Sequence, residues 1–148
     1  MKIKIAVFTG NRAEFGLLLP ILKKLNDNKK IDLNLIVSGA HLDKDFGRTY
    51  KEISSYKFQI YAKLNINIVQ KNNLYTPLSI SDITKKTSLV LNKLKPDLVI
   101  IYADRFESFG ALIASTQMNL ATIHIEGGDI TEGGALDDSV RHAMSKLA

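Results

Sequence analysis

At 148 residues, 45% of them hydrophobic and 24% charged, the chain is long enough to bury one full core and is expected to form one domain. Its formal charge of +5 comes largely from lysine pairs such as Lys23-Lys24, Lys29-Lys30 and Lys85-Lys86, on or just after predicted helices; these read as solvated faces, because no aromatic interleaving or basic stripe makes a nucleic-acid surface, while an anionic small molecule stays compatible. The lack of cysteine excludes a disulfide framework and thiolate metal sites or nucleophiles, no apolar run approaches a membrane span, and Met1 to Phe8 is too short for a signal peptide, so a cytoplasmic protein with neither nucleic acid nor membrane as partner is expected.

The first element is the continuous apolar run Ile3 to Phe8, which reads as a parallel strand covered on both faces. A turn, Thr9-Gly10-Asn11-Arg12-Ala13-Glu14-Phe15-Gly16, leads into a helix over Glu14 to Leu25 with Leu17, Leu18, Ile21, Leu22 and Leu25 on one stripe. Leu33 to Val37 is the second strand, Phe58 to Ile66 a weaker mixed one, and Asn72 to Pro77 a loop. Ile83, Thr87, Val90, Leu91 and Leu94 share the face of a second long helix, stopped by Pro96 and Asp97 before the strand Leu98 to Tyr102. Phe106 to Gln117 is a small-residue helix and Thr122 to Ile125 the next strand. Asp137 to Ala148 has helical spacing at Val140, Met144 and Leu147 but neither glycine cap nor stop signal, so a chain cut from something longer is expected. The repeated strand-helix-strand order implies right-handed crossovers and an α/β fold with a doubly wound, Rossmann-like parallel sheet.

In such a sheet ligands bind in the crevice beyond the carboxyl ends of the strands. The first turn lacks both the three-glycine dinucleotide fingerprint and the Gly-Lys-Ser/Thr of a P-loop, so no nicotinamide or P-loop triphosphate is expected. It keeps exposed helix amides, Gly10 and Arg12, which suit a phosphate or diphosphate; the plainer alternative is a tight turn with a surface charge. Asp104 ends the fourth strand with Arg105 beside it, and alone it reads as a helix cap. Glu126 is a poor turn residue, and Gly127-Gly128 after it would let a ligand approach the backbone. Asp137-Asp138 opens the last helix. Carboxylates on successive strand-end loops exceed what capping requires. His124 lies inside a strand and reads as packed, and His41 and His142 have no metal spacing, so neither metal nor cofactor is expected.

Five motifs in order, Thr9-Gly10-Asn11-Arg12-Ala13-Glu14, Ser38-Gly39-Ala40-His41-Leu42 with Asp45-Phe46-Gly47, Asp104-Arg105-Phe106-Glu107, His124-Ile125-Glu126-Gly127-Gly128-Asp129 and Asp137-Asp138-Ser139-Val140-Arg141-His142, together resemble the hydrolysing UDP-N-acetylglucosamine 2-epimerases of sialic and legionaminic acid biosynthesis. The Asp-Arg-Phe-Glu and His-Ile-Glu-Gly-Gly runs favour the hydrolysing over the non-hydrolysing branch. The resemblance implies a two-domain enzyme of the glycosyltransferase B type, with residues 1–148 as its N-terminal Rossmann-like domain, the UDP-binding C-terminal domain absent from this chain, and a homo-oligomer when full length. It implies elimination of UDP to a glycal and hydration to an N-acetylmannosamine-type sugar. Asp104, Glu126 and Asp137 match the family's functional carboxylates, with Glu126 and Asp137 sharing proton transfers and Asp104 positioning or shuttling. Gly10, Arg12 and Arg105 would meet phosphate or sugar oxygens, His41 and His124 would lie close to the sugar, and a slightly long turn before the last helix leaves Asp137 and Asp138 competing for one place. A nucleotide-sugar binding or regulatory module and a glycosyltransferase of the same architecture are the other readings.

Overall fold

Continuous runs of branched apolar residues make the centre of the sheet, because a strand covered on both faces has no solvent side to keep polar. The computed structural model describes residues 1–44, 49–66, 72–131 and 136–148. In it β1 (Ile3–Thr9) pairs in parallel with β2 (Ile31–Ser38) on one side and β4 (Leu98–Tyr102) on the other. β3 (Ile60–Leu64) and β5 (Thr122–Ile125) form the edges, giving the parallel order β3-β2-β1-β4-β5.

Helices cover both faces. α1 (Arg12–Asp27) and α2 (Tyr50–Ser55) bury Phe15, Leu18, Leu22 and Ile53 against Ile5, Val7, Leu35, Val37 and Ile100. α3 (Tyr75–Leu94), α4 (Phe106–Gln117) and α5 (Leu136–Leu147) bury Ile83, Leu91, Leu112 and Met144 against Ala6, Phe8, Ile36 and Ile101. The expected doubly wound sheet is therefore present, and its winding reverses between β1 and β4. That places the crevice of the switch point beside Gly10 and Asp104.

Several local expectations are corrected. Leu17 and Ile21 are 60% and 36% exposed, while Phe15 is buried. They lie about 100° round the helix from Leu18 and Leu22, outside the stripe the sheet can cover. The loop expected at Asn72 to Pro77 is half helix, since α3 starts at Tyr75. The Asn72 side chain accepts the Leu74 N–H at 3.0 Å, and Pro77 sits in the first turn, where a missing N–H costs nothing. Leu147, expected on the inner face of the last helix, is 41% exposed. The weak strand shortens to Ile60–Leu64 at the sheet edge. Asp45, Phe46 and Gly47 of the second motif lie outside the described residues, as do residues 132–135 of the turn before α5.

Candidate functional site

Tyr102 and Ile125 are the last paired residues of β4 and β5, and the next residue on each strand turns left-handed: Ala103 at φ 55° and Glu126 at φ 59°. Left-handed backbone costs a residue with a β-carbon roughly 1–2 kcal/mol. Paired strain of this kind at strand ends is a mark of functional sites. The two turns bring Asp104 and Glu126 to one cavity of about 560 Å³, which Ala103, Asp129, Thr131 and Arg141 also line. Tyr102 is buried, and burial together with a hydrogen bond to the Glu126 carboxylate pushes its phenol up to about 12, so it stays a donor to that acid.

Arg141, on α5, reaches back to the strand ends. Its Nε donates to Asp104 Oδ2 at 2.9 Å and its Nη2 ion-pairs with the same oxygen. Its Nη1 meets Asp138 Oδ1 and the Asp129 carbonyl, each at 3.0 Å, and Thr131 Oγ1 at 3.2 Å. Asp138 also accepts from the Thr131 side chain and backbone N–H, and these bonds, with the Arg141 charge, hold its carboxyl below the usual range. His124 bonds the Ala103 carbonyl at 2.7 Å and Ser145 Oγ at 3.0 Å, tying β5 to both β4 and α5. A β-carbon on Gly127 would lie 2.7 Å from the His124 ring and closer still to Ser145 Oγ, so this glycine makes room for the protein's own side chains. Gly128, at φ 81°, faces open space.

Across the switch point, the Asn11 side chain caps α1 by accepting the Glu14 N–H at 3.1 Å, while Glu14 Oε2 accepts the Gly10 N–H at 2.9 Å. Burial pushes the Glu14 carboxyl up to about 7. Glu107 is fully buried and takes Arg105 at Nε (3.1 Å) and Nη2 (3.0 Å). Gly39, at φ 58°, passes so close that a β-carbon there would lie 2.6 Å from the Gly10 carbonyl oxygen. His41 is fully buried, bonded to Thr9 Oγ1 at 3.0 Å and Thr49 Oγ1 at 2.7 Å, and burial lowers its pKa to about 4.

Of the residues singled out from the sequence, the structure gathers Asp104 and Glu126 around one cavity and joins Asp138 to them through Arg141. Asp137 is exposed in the first turn of α5. Gly10 and Arg105 sit at the adjoining turn, Arg12 is exposed and paired with Glu52 at 3.1 Å, and both ring nitrogens of His41 and of His124 are engaged within the fold. Sequence reading did not single out Arg141, Tyr102, Glu14 or Glu107. For Arg141 the signal was present, in the motif that opens α5.

Strand order and a crevice beyond β1, β4 and β5 define a Rossmann-like domain, and its fold matches the N-terminal part of solved UDP-GlcNAc 2-epimerases of glycosyltransferase B-like architecture. The crystal structure of UDP-GlcNAc 2-epimerase from Neisseria meningitidis bound to UDP-GlcNAc superposes on 99% of this chain with a TM-score of 0.82 and 22% identity, the match covering 38% of that chain. The chain belongs to the UDP-N-acetylglucosamine 2-epimerase family, whose sequence profile matches residues 23–148. It is 35% identical over 147 residues to the GDP/UDP-N,N'-diacetylbacillosamine 2-epimerase (hydrolyzing) of Campylobacter jejuni, covering 99% of this chain and 38% of that protein. It is 36% identical over 145 residues to the UDP-N-acetylglucosamine 2-epimerase of Neisseria meningitidis serogroup B, covering 98% of this chain and 37% of that protein. The chain thus spans 37% to 38% of the length of these relatives and corresponds to the N-terminal part of the family's hydrolysing members.

Proposed function

We propose that this chain is the N-terminal, Rossmann-like domain of a cytoplasmic, homo-oligomeric hydrolysing UDP-sugar 2-epimerase. A base takes the C2 proton, the C1–O bond to UDP breaks with its electron pair leaving on the diphosphate, and a glycal results. Water then adds its oxygen to C1 and an acid returns a proton to C2 on the opposite face, giving an N-acetylmannosamine-type sugar. The observation that carries this reading is Asp104 and Glu126 on neighbouring strand ends around one cavity, since chemistry on two adjacent ring carbons needs more than one acid/base group within reach.

Glu126 moves protons, facing the Tyr102 hydroxyl. Asp104, gripped by Arg141, orients the sugar or relays a proton. Asp137, exposed at the head of α5, is the third acid. The leaving diphosphate meets the Gly10 turn, where the α1 amides and Arg12 favour an anion; the exposed Arg12–Glu52 pair is weak enough for a ligand to displace. His41 and His124 act by fixing the loops around the sugar.

Full-length protein incubated with UDP-N-acetylglucosamine or a UDP-2,4-diacetamido sugar in deuterated, oxygen-18-labelled water is expected to release UDP and a sugar carrying deuterium at C2 and the label at C1. UDP release without deuterium at C2 would overturn the elimination. The 148-residue chain by itself is expected to release no UDP, and robust turnover by it would overturn the domain assignment. Transfer to an acceptor sugar instead of water would mark a glycosyltransferase.

A further inference from the structure

The head of α1 presents amides suited to an anion, yet an acid is buried directly beneath them. Glu14 is 4% exposed; its Oε2 lies 2.9 Å from the Gly10 nitrogen and 3.6 Å from where a Gly10 β-carbon would sit, and its Oε1 is buried without a hydrogen-bond partner among the described residues. A second acid, Glu107, lies beside the same glycine, its Cβ 3.5 Å from where a Gly10 β-carbon would sit, and claims the Arg105 guanidinium through two bonds. Two buried acids therefore share one cation. Other titratable groups around this turn do not offset it: Tyr102 on β4, which feels the charge of both Glu14 and Glu126, is a neutral phenol, His41, in edge contact with Phe15, is neutral, and Arg12 is exposed and paired with Glu52 of α2.

We propose that Glu14 is a positioning residue that carries a proton whenever an anion occupies the Gly10 turn, so that binding of a diphosphate there takes up a proton. The placement of the diphosphate rests on the reading given under Proposed function. Ionised, Glu14 would add a second uncompensated charge against the ligand. Neutral, it still accepts the Gly10 N–H through Oε2 and keeps the turn in place, while the positive end of the helix is left free for the anion. Burial, and to a lesser degree Glu107, push the Glu14 carboxyl up to about 7, so its proton is exchangeable near neutrality and the ligand's charge is sufficient to fix it.

The test is calorimetry on the full-length protein, with UDP and inorganic pyrophosphate as probes, in buffers of different ionisation enthalpy just above neutral pH. The parent protein is expected to take up more protons per bound probe than Glu14→Gln, and its affinity to fall by up to about tenfold per pH unit on the alkaline side while the variant's falls less. Infrared difference spectra of the parent protein on adding UDP should gain a protonated-carboxyl band, a readout that does not depend on the variant folding. Equal proton exchange in parent and variant, absence of that band, or binding of neither probe overturns the proposal. Proton-coupled binding with no sugar turned over would instead overturn the epimerase reading and leave this one standing.

Discussion

Arg141 and Asp104 are joined across 37 residues of sequence, the guanidinium of α5 reaching back to the end of β4 with Nε 2.9 Å from Oδ2. The same guanidinium holds Asp138 and the Asp129 carbonyl, so one side chain fixes a strand end, a loop and a helix head around the cavity. A lysine, with a single point charge and no planar fork, cannot make these bonds together. Arg141→Lys is therefore expected to loosen α5, its amides exchanging with deuterated water roughly tenfold faster while those of β1 and β2 are unchanged. Equal exchange in α5 would show that the pair is incidental.

His41 and Glu14 set opposite pH slopes. His41, lowered from 6.5 to about 4, is neutral when folded, and between those values the unfolded chain binds its proton first, so stability is lost as pH falls through the window. Glu14, raised from 4.5 to about 7, keeps in the folded state a proton the unfolded chain has released, so its contribution is full below 4.5 and is lost as pH rises toward 7. Each effect is worth about 3 kcal/mol, and the two oppose one another between pH 4.5 and 6.5. Urea midpoints of the parent chain should vary little there. Glu14→Gln should gain stability with rising pH and His41→Gln should lose it; parallel slopes in all three would contradict both assignments.

The sheet was legible because its central strands are unbroken apolar runs, and Glu126 because a glutamate directly after such a run is a poor turn residue; Asp104, which alone reads as a helix cap, stood out only as one of several carboxylates on successive strand-end loops. Other parts were not. α2 is six residues long and is recognisable only from the burial of Ile53, a tertiary fact. Arg141 lies in a helix whose outer face is charged, so it reads as solvated until its partner from β4 is placed beside it. A glutamate in a first helical turn ordinarily faces water and answers the helix dipole. Glu14 instead turns under Gly10, a path that depends on how closely β1, β2 and α4 approach.

Gly110 marks a close helix contact, where α4 meets α3. A β-carbon there would lie 2.8 Å from Ile83 Cγ2 and 2.9 Å from the Ile80 carbonyl oxygen, neither of which can yield without moving backbone or core. Helix propensity alone would make Gly110→Ala stabilising by roughly 1 kcal/mol. Overpacking of about 1–3 kcal/mol acts the other way and is expected to win, lowering the thermal midpoint. A raised midpoint would mean that α3 can back away.

Glu126 and Tyr102 provide the sharpest test of the proposed chemistry. The strained backbone at Glu126 aims its carboxylate at the cavity and the Tyr102 hydroxyl faces it, so the pair is arranged to hold a proton-transfer group in one orientation. Glu126→Gln keeps size and hydrogen-bonding capacity but cannot move a proton. In the full-length enzyme it is expected to lower kcat on the order of 10²- to 10⁴-fold with UDP affinity unchanged. Tyr102→Phe leaves the acid and removes only its donor, so a smaller loss, confined to kcat with KM preserved, is expected. Turnover kinetics and calorimetry on the two variants check this together: a large rise in KM with kcat intact for Glu126→Gln would make Glu126 a sugar-binding group and move the proton transfers to another acid of the site.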